Sequence, residues 1–104
     1  MVTIPETVRS GVKKYIERLR QEIPVEKALL FGSYARGTYD SGSDIDLAIF
    51  SDYFQGMRRV DGIAFLLSRA DEIDLDLEPL AFTCDEYREK IGLVDEIIRN
   101  GIEI

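Results

Sequence analysis

The sequence predicts an α/β fold of the α+β type, in which helices flank a small mixed β-sheet. Three observations predict it: segments with apolar residues every three or four positions, short apolar or alternating runs, and the succession of the two along the chain. The 104 residues, of which 45% are hydrophobic, suffice for one domain over residues 1–104 and leave no room for a second.

The first helix is predicted to begin at Thr3 and Glu6, which have capping-box spacing, with Pro5 in its first turn. It should continue to about residue 22, before Pro24, with one apolar face against the core. That face consists of Val8, Val12, Tyr15, Ile16, Leu19 and Ile23. The apolar run 28–31 then predicts a buried first strand.

Turn-forming residues fill the segment 32–43, which predicts a structured loop and not a two-residue hairpin. The second strand, residues 44–50, alternates so that Asp44, Asp46 and Ala48 share one face. The two aspartates should therefore leave the sheet on the same side.

A crossover helix that ends near Ala70 is predicted after a polar turn over residues 51–56. Its apolar stripe consists of Val60, Ile63, Ala64, Leu66 and Leu67. The alternating run 74–82 predicts a third strand, which Pro79 restricts to an edge of the sheet or to the end of its pairing. The acidic residues that then share one face of this strand are Asp74, Asp76 and Glu78.

Thr83 and Glu86 repeat the capping-box spacing and begin a last helix, which Asn100 and Gly101 close. The apolar residues along one side of this helix are Tyr87, Ile91, Val94 and Ile98. A strand, helix, strand unit usually forms a parallel pair, whereas the first strand can pair antiparallel with the second across the loop. The predicted sheet is therefore mixed.

Charge and composition restrict the partners and the location. The net charge of −7 disfavours long DNA or RNA as a partner, because proteins that bind nucleic-acid backbones usually carry a basic surface. The first residues do not resemble a signal peptide, and no apolar stretch approaches the roughly 20 residues that cross a bilayer. We therefore expect a soluble, cytoplasmic protein that does not bind membranes.

The chain contains one cysteine, Cys84, and no histidine. A single cysteine forms no internal disulfide, so we expect a buried, inert thiol. Ser-His-Asp and Cys-His hydrolases and zinc enzymes with histidine ligands all need imidazole. Any chemistry must therefore use carboxylates and metal ions.

The pair Gly32-Ser33 follows the first apolar strand, where backbone N–H groups and a hydroxyl can turn toward a phosphate. Neither the Walker loop nor the G-x-G-x-x-G pattern of dinucleotide-binding folds is present. Because a Gly-Ser pair is also typical of an ordinary turn, the phosphate-loop hypothesis depends on a second motif.

The second motif is Asp44-Ile45-Asp46, whose two carboxylates share a strand face and can share divalent cations. An isolated Asp-x-Asp is also typical of a solvated strand face. A calcium-binding EF-hand loop is excluded, because Ile45 stands where that loop needs glycine and no glutamate closes it.

Together, Gly32-Ser33, ten intervening residues and Asp44-Ile45-Asp46 on a strand resemble the signature of the DNA polymerase beta superfamily of nucleotidyltransferases, in particular its minimal single-domain members. The resemblance extends over nearly the whole chain, since that family also has a leading helix, two flanking strands, a crossover helix and a third strand with another carboxylate. It implies the polymerase-beta-like nucleotidyltransferase fold.

The resemblance implies metal-dependent transfer of a nucleoside monophosphate, such as AMP from ATP, to a hydroxyl acceptor with release of pyrophosphate. Gly32 and Ser33 would contact the triphosphate, while Arg36 is either a further phosphate contact or a solvated charge. Asp44 and Asp46 would bind two Mg²⁺ ions, with ATP or another NTP as the substrate.

The family's third carboxylate lies on the neighbouring strand, ligates the acceptor-side metal ion and can accept the acceptor's proton. Asp74, Asp76 and Glu78 are the candidates here. Glu78 is favoured, because the Leu-Glu-Pro-x-x-Phe-Thr run resembles that of related small proteins, and Asp76 is the alternative ligand. Since aspartate is commoner at this position, a glutamate leaves the metal geometry open.

The acceptor is the open question, because larger relatives carry additional domains that hold it. Small members of the family are often paired with a helical HEPN protein, so the resemblance implies an antitoxin-like role in which AMP is placed on a tyrosine of that partner. Two alternatives remain. One is a non-catalytic module that binds nucleotide or the partner, and the other is nucleotidylation of a small antibiotic-like molecule in a pocket completed by a homodimer or a partner.

Overall fold

The computed structural model describes residues 3–104. In chain order, the helices and strands of this part are α1 (Glu6–Arg20), β1 (Lys27–Phe31), α2 (Ser33–Arg36), β2 (Ile45–Phe50), α3 (Arg59–Ala70), β3 (Leu77–Phe82), α4 (Cys84–Glu89), α5 (Leu93–Asn100) and β4 (Ile102–Glu103). A short 3₁₀ turn, Asp52–Phe54, lies between β2 and α3.

The four strands of the described chain form one mixed sheet in the order β3, β2, β1, β4. β1 pairs antiparallel with both β2 and β4, while β2 pairs parallel with β3. The mixed sheet, its helices and the strand pairings confirm the predicted fold class. β3 lies at an edge of the sheet, as the proline at position 79 requires.

Each face of the sheet is packed against a different set of helices. On one face, Ile45, Leu47 and Ile49 of β2 join the apolar residues of α1 and α3 in the main core. On the other face, Ala48 and Phe50 join residues of α4 and α5 in a second, smaller cluster. Alternate residues of β2 therefore supply apolar side chains to both faces of the sheet. Asp46, near the start of the strand, lies on the same face as Ala48 and Phe50.

The apolar stripe of α1 is buried as predicted, but the helix begins differently. Pro5 is the N-cap, and its carbonyl oxygen accepts hydrogen bonds from the backbone N–H groups of Val8 and Arg9 at 3.1 and 3.0 Å. The predicted capping box of Thr3 and Glu6 is wrong, because Glu6 is the first helical residue and stands two positions too early to close it.

The predicted core stripe of the crossover helix is only partly correct. α3 buries Gly62 and Leu66, whereas Val60 is 61% exposed and Leu67 is 45% exposed. The cause is a close approach at Gly62, where a Cβ atom would stand 2.8 Å from the Cβ atom of Ala81 in β3. Because of this contact, the side of α3 that carries Gly62 faces the sheet, and much of the predicted apolar stripe faces solvent.

The predicted last helix is in fact two helices. The capping box that begins α4 is confirmed, with the Glu86 N–H donating to the Thr83 hydroxyl at 3.1 Å and the Glu86 carboxylate accepting from the Thr83 N–H at 3.0 Å. Lys90 then adopts a left-handed conformation with φ of 54°, and Gly92 has φ of 61°. These two residues separate α4 from α5, so Ile91 lies in the turn between them and is 72% exposed.

The end of the chain contributes β4, which the sequence did not predict. Ile102 and Glu103 pair with Leu30 and Leu29 of β1. Cys84, at the start of α4, is buried as predicted, and burial raises the pKa of its thiol to about 12. None of the helices in residues 3–104 is long and apolar enough to cross a bilayer.

A buried hydrogen bond joins α1 to α3. The Tyr15 hydroxyl, which is fully buried, donates to the Leu66 carbonyl oxygen at 2.7 Å, and burial raises the pKa of this phenol. We expect Tyr15→Phe to lower the free energy of unfolding by about 1–2 kcal/mol, because the buried carbonyl loses this donor. Urea unfolding followed by circular dichroism measures the effect. Tyr53→Phe, at an exposed tyrosine, is the control, and equal midpoints for the two variants would contradict the role of this bond.

Candidate active site

Gly32 links β1 to α2 and lies directly against an acidic side chain of β2. Its φ of 72° is in the region that favours glycine, and a Cβ atom at this position would stand 2.1 Å from Oδ2 of Asp46. Gly32 is thus required both by its backbone conformation and by the space that the carboxylate occupies. The segment predicted as a loop begins with the one-turn helix α2, in which the Arg36 N–H donates to the Gly32 carbonyl oxygen at 3.1 Å.

The register of the sheet aligns the acidic residues. Asp46 lies opposite Phe31 of β1 on one side and opposite Glu78 of β3 on the other. Asp44 immediately precedes β2. The carboxyl group of Glu78 lies close enough to those of Asp44 and Asp46 for both to raise its pKa, so the structure brings all three acids together.

The three carboxyl groups perturb one another's ionisation. The pKa of Glu78 is raised, first by its contact with Asp44 and then by the negative charges of Asp44 and Asp46. The pKa of Asp46 is raised mainly by its partial burial, against which Glu78 and the charge of Arg36 act in the opposite direction. Since both carboxyls are disfavoured as anions, the cluster holds a proton more readily than three separate acids.

The other two candidates for the third carboxylate do not join this cluster. β3 begins at Leu77 and not at residue 74, so Asp74 and Asp76 precede the strand. The backbone carbonyl of Asp76 accepts a hydrogen bond from the Ile45 N–H at 2.8 Å, which uses this residue to begin the pairing of β2 with β3. Asp74 instead lines a separate cavity beside α1. Of the three, Glu78 alone perturbs the pKa of Asp46.

The remaining predicted site residues lie on α2. Ser33 is its first residue and is partly buried, while Arg36 is its last and is exposed. The positive charge of Arg36 is close enough to favour the ionised form of Asp46, so the guanidinium and the carboxylate belong to one electrostatic site. A cation and an acid cluster thus lie near one another beside the Gly32 loop.

A cavity of about 570 Å³ opens beside these residues. Gly32, Arg36 and Asp46 form part of one wall, and residues of α5 form the opposite wall. The α5 residues that line it are Leu93, Glu96, Ile97 and Asn100. Sequence reasoning missed Glu96 and Asn100. Their position could have been recognised from the sequence, because Leu93, Glu96, Ile97 and Asn100 follow one another at helical spacing and so share one helix face.

A second cavity of about 280 Å³ borders the same acids from the side of β3. Asp46 and Glu78 contribute its polar part, while the rest of its lining is apolar and includes Phe31, Leu80 and the exposed Leu67 of α3. Phe31 and Asp46 line both cavities, so the acid cluster lies between a space of mixed polarity and a mainly apolar one.

The donor set suits a hard divalent cation. Carboxylate oxygens are the ligands that Mg²⁺ prefers, and a cation would relieve the mutual repulsion of the three acids. Among residues 3–104, however, no group of three or more acidic, histidine or cysteine side chains is already spaced as a metal site. The fit to a cation therefore rests on the chemistry of the side chains.

Comparison with known proteins shows what the chain is similar to. It matches the nucleotidyltransferase domain family over residues 12–102. It is 30% identical over 81 residues to a putative protein adenylyltransferase of Methanocaldococcus jannaschii, an alignment that covers 77% of this chain and 79% of the relative. A second protein of that name and organism is 42% identical over 44 residues, which cover 40% of this chain and 44% of that protein.

A solved structure has the same fold. It is described as a putative nucleotidyltransferase from Sulfolobus solfataricus, with a TM-score of 0.63 and 20% sequence identity over 99% of this chain and 89% of that one. At this identity the likeness concerns the fold alone. The family match covers nearly the whole chain and includes the Gly32 loop, the three acids and α5. The chain is therefore a member of the nucleotidyltransferase domain family.

Proposed function

We propose that this protein is a magnesium-dependent enzyme that transfers AMP from ATP to a hydroxyl group of a protein. Membership of the family supports the general reaction, the transfer of a nucleoside monophosphate. The observation that supports the rest is the meeting of Asp44, Asp46 and Glu78 next to Gly32, at the junction of two cavities. We place the reaction in the cytoplasm, where ATP and magnesium are available.

The α2 segment is the triphosphate side of the proposed site. Gly32 lets the backbone approach the phosphates closely, and Ser33 offers a hydroxyl and an N–H group as donors. Ser33 is not a nucleophile, since the chain has no histidine to activate it. Arg36 faces the larger cavity and supplies positive charge for the phosphates, with which a guanidinium can form two parallel hydrogen bonds.

The acid cluster is the reaction centre. Asp44, Asp46 and Glu78 would hold two Mg²⁺ ions, which neutralise phosphate charge and activate the acceptor hydroxyl. In the transfer, the acceptor oxygen forms a bond to the α-phosphorus, the bond between the α- and β-phosphates breaks, and pyrophosphate leaves. Glu78 would take the proton of the acceptor.

The acceptor side is the apolar cavity next to Glu78. Its walls of Phe31, Leu67 and Leu80 suit an apolar side chain with a terminal hydroxyl better than a polar sugar or aminoglycoside. A tyrosine of a helical HEPN-type partner meets this description, and the relatives named as protein adenylyltransferases support a protein acceptor. The net charge of −7 favours a basic partner over a second copy of the chain in a homodimer.

A non-catalytic antitoxin that binds nucleotide or its partner is the second candidate. The carboxyls of the described chain are not already spaced as a metal site, which is the observation in its favour. Nucleotide transfer distinguishes the two functions, since a binding module neutralises its partner without labelling it.

Asp46→Asn should reduce transfer by about a hundredfold or more, because it removes a metal ligand at the reaction centre. The measurement uses ATP labelled on the α-phosphate, Mg²⁺ and either cell extract or a HEPN-type partner, with labelled protein detected after electrophoresis. Asp76→Asn is the matched control, since it removes the same charge one residue before β3 but outside the cluster. Equal labelling by both variants and the wild type would refute the catalytic role.

Glu78→Gln should raise the melting temperature of the EDTA-treated protein at pH 7 by a few degrees, because it relieves the repulsion within the cluster. A carboxyl whose pKa is raised on folding contributes stability below its unfolded pKa and loses it as pH rises through the folded value. The gain over wild type should therefore shrink at pH 4. Added Mg²⁺ should raise the melting temperature of the wild type more than that of Glu78→Gln, and an equal response of the two would count against metal binding here.

Leu67→Glu should lower protein labelling about tenfold and leave the affinity for Mg-ATP unchanged, because it places a charge on the wall of the acceptor cavity. Ile91→Glu is the control, at an apolar side chain that is more exposed and lines neither cavity. Mass spectrometry of the labelled protein should find AMP on tyrosine. Undiminished labelling by Leu67→Glu would show that the acceptor approaches from another side.

A further inference from the structure

The helix α5 presents one face to the larger cavity. Leu93, Glu96, Ile97 and Asn100 line that cavity, and their spacing of three and four residues places them on the same side of the helix. Ile97 is buried in the second apolar cluster and fixes α5 to the sheet, while Glu96 and Asn100 are exposed. The polar residues of this face therefore stand opposite Gly32 and Arg36.

α5 is fixed by its buried residues Val94 and Ile97 and by the strand that follows it, so its face forms a wall of the cavity. The turn at Gly92, with φ of 61°, separates it from α4. At its other end the chain passes into β4, where Ile102 pairs with Leu30 of β1. Asn100 is thereby held beside the strand that leads into the Gly32 loop.

Within residues 3–104, the side chains of Glu96 and Asn100 form no hydrogen bond or ion pair that would explain their place on this face. The neighbouring Asp95 forms an ion pair with Arg99 at 2.9 Å, which satisfies the charges on the adjacent side of the helix. Glu96 and Asn100 instead border a space of about 570 Å³, which is within the range of small-molecule sites.

The charges on opposite walls of the cavity would orient a bound nucleotide. Arg36 on the α2 wall attracts the phosphates, and Glu96 on the α5 wall repels them. With the triphosphate at Gly32 and Arg36, the nucleoside must lie toward α5. There the Asn100 amide offers a donor and an acceptor side by side, as the edge of adenine requires, and the Glu96 carboxylate can accept hydrogen bonds from ribose hydroxyls.

We infer that α5 is the nucleoside-binding wall of this enzyme, with Asn100 contacting the adenine base and Glu96 the ribose. The inference rests on the proposed function, because it assumes that the triphosphate lies at the Gly32 loop. It adds that a helix outside the Gly-Ser and Asp-x-Asp motifs determines which nucleotide is used.

Calorimetric titration of the full chain with ATP, GTP and inorganic triphosphate, each with Mg²⁺, tests the inference. Asn100→Ala and Glu96→Ala should each weaken ATP binding about tenfold, which is the usual effect of losing one buried hydrogen bond to a ligand. Binding of inorganic triphosphate should stay the same, and Asn100→Ala should reduce the preference for ATP over GTP. Arg99→Ala, next to Asn100 but outside the cavity lining, should bind all three ligands as the wild type does.

Two results would overturn the inference while leaving the proposed function intact. One is unchanged ATP affinity in both α5 variants, and the other is an equal loss of affinity for ATP and for triphosphate, which would mean that α5 only supports the phosphate loop. A wild-type protein that binds neither ATP nor triphosphate would overturn the proposed function, and the inference with it. Melting curves of both variants establish that they are folded.

Discussion

The contact between Gly32 and Asp46 is the constraint on which the site depends. A Cβ atom at position 32 would meet Oδ2 of Asp46 at 2.1 Å, and the backbone there has a positive φ. A larger residue would have to displace either the loop or the carboxylate. The glycine thus brings the start of α2 against the acid cluster, and it determines the distance between the element that would hold phosphates and the groups that would hold metal ions.

The register of three strands extends this local contact into a site. Phe31, Asp46 and Glu78 form one row across β1, β2 and β3, and the next row on the same face is Leu29, Ala48 and Leu80. The row with Asp46 and Glu78 is the polar part of this face, whereas the row with Leu29, Ala48 and Leu80 belongs to the apolar cluster under α4 and α5. A shift of one residue in either pairing would exchange these faces and separate the acids. The same apolar packing that stabilises the sheet therefore aligns Asp46 with Glu78.

Sequence patterns predicted the parts of the site that lie on regular strands. The alternation in residues 44–50 predicted that Asp44 and Asp46 leave the sheet on one side, because strand periodicity depends on few residues. The alternation in residues 74–82 left three acids open, and the family resemblance favoured Glu78, which the pairing of β3 with β2 sets opposite Asp46. Other features depend on contacts between distant residues. The buried side of α3 is decided by the meeting of Gly62 with Ala81, and no periodicity within α3 reports that contact.

The break after α4 was hidden for a different reason. Lys90 adopts a left-handed conformation that its side chain does not favour, so the apolar spacing of Tyr87, Ile91 and Val94 suggested a continuous helix. β4 consists of two residues, too few for any pattern. The break and β4 together set the position of α5, so the place of Glu96 and Asn100 on the cavity wall, and the roles proposed for them, could not be predicted from the sequence.

The mutual repulsion of the acid cluster lowers the stability of the fold, and the position of the cluster in the sheet limits this loss. Asp46 is partly buried, and Glu78 stands close enough to Asp44 for their charges to oppose one another. The cluster lies at one end of the sheet, where Asp44 and Glu78 remain exposed to water and only Asp46 is enclosed. The electrostatic repulsion is therefore confined to the row of Asp46 and Glu78, while the neighbouring rows of this face are apolar. In the proposed enzyme, cations and a triphosphate would offset this repulsion, so that their binding would stabilise the folded protein.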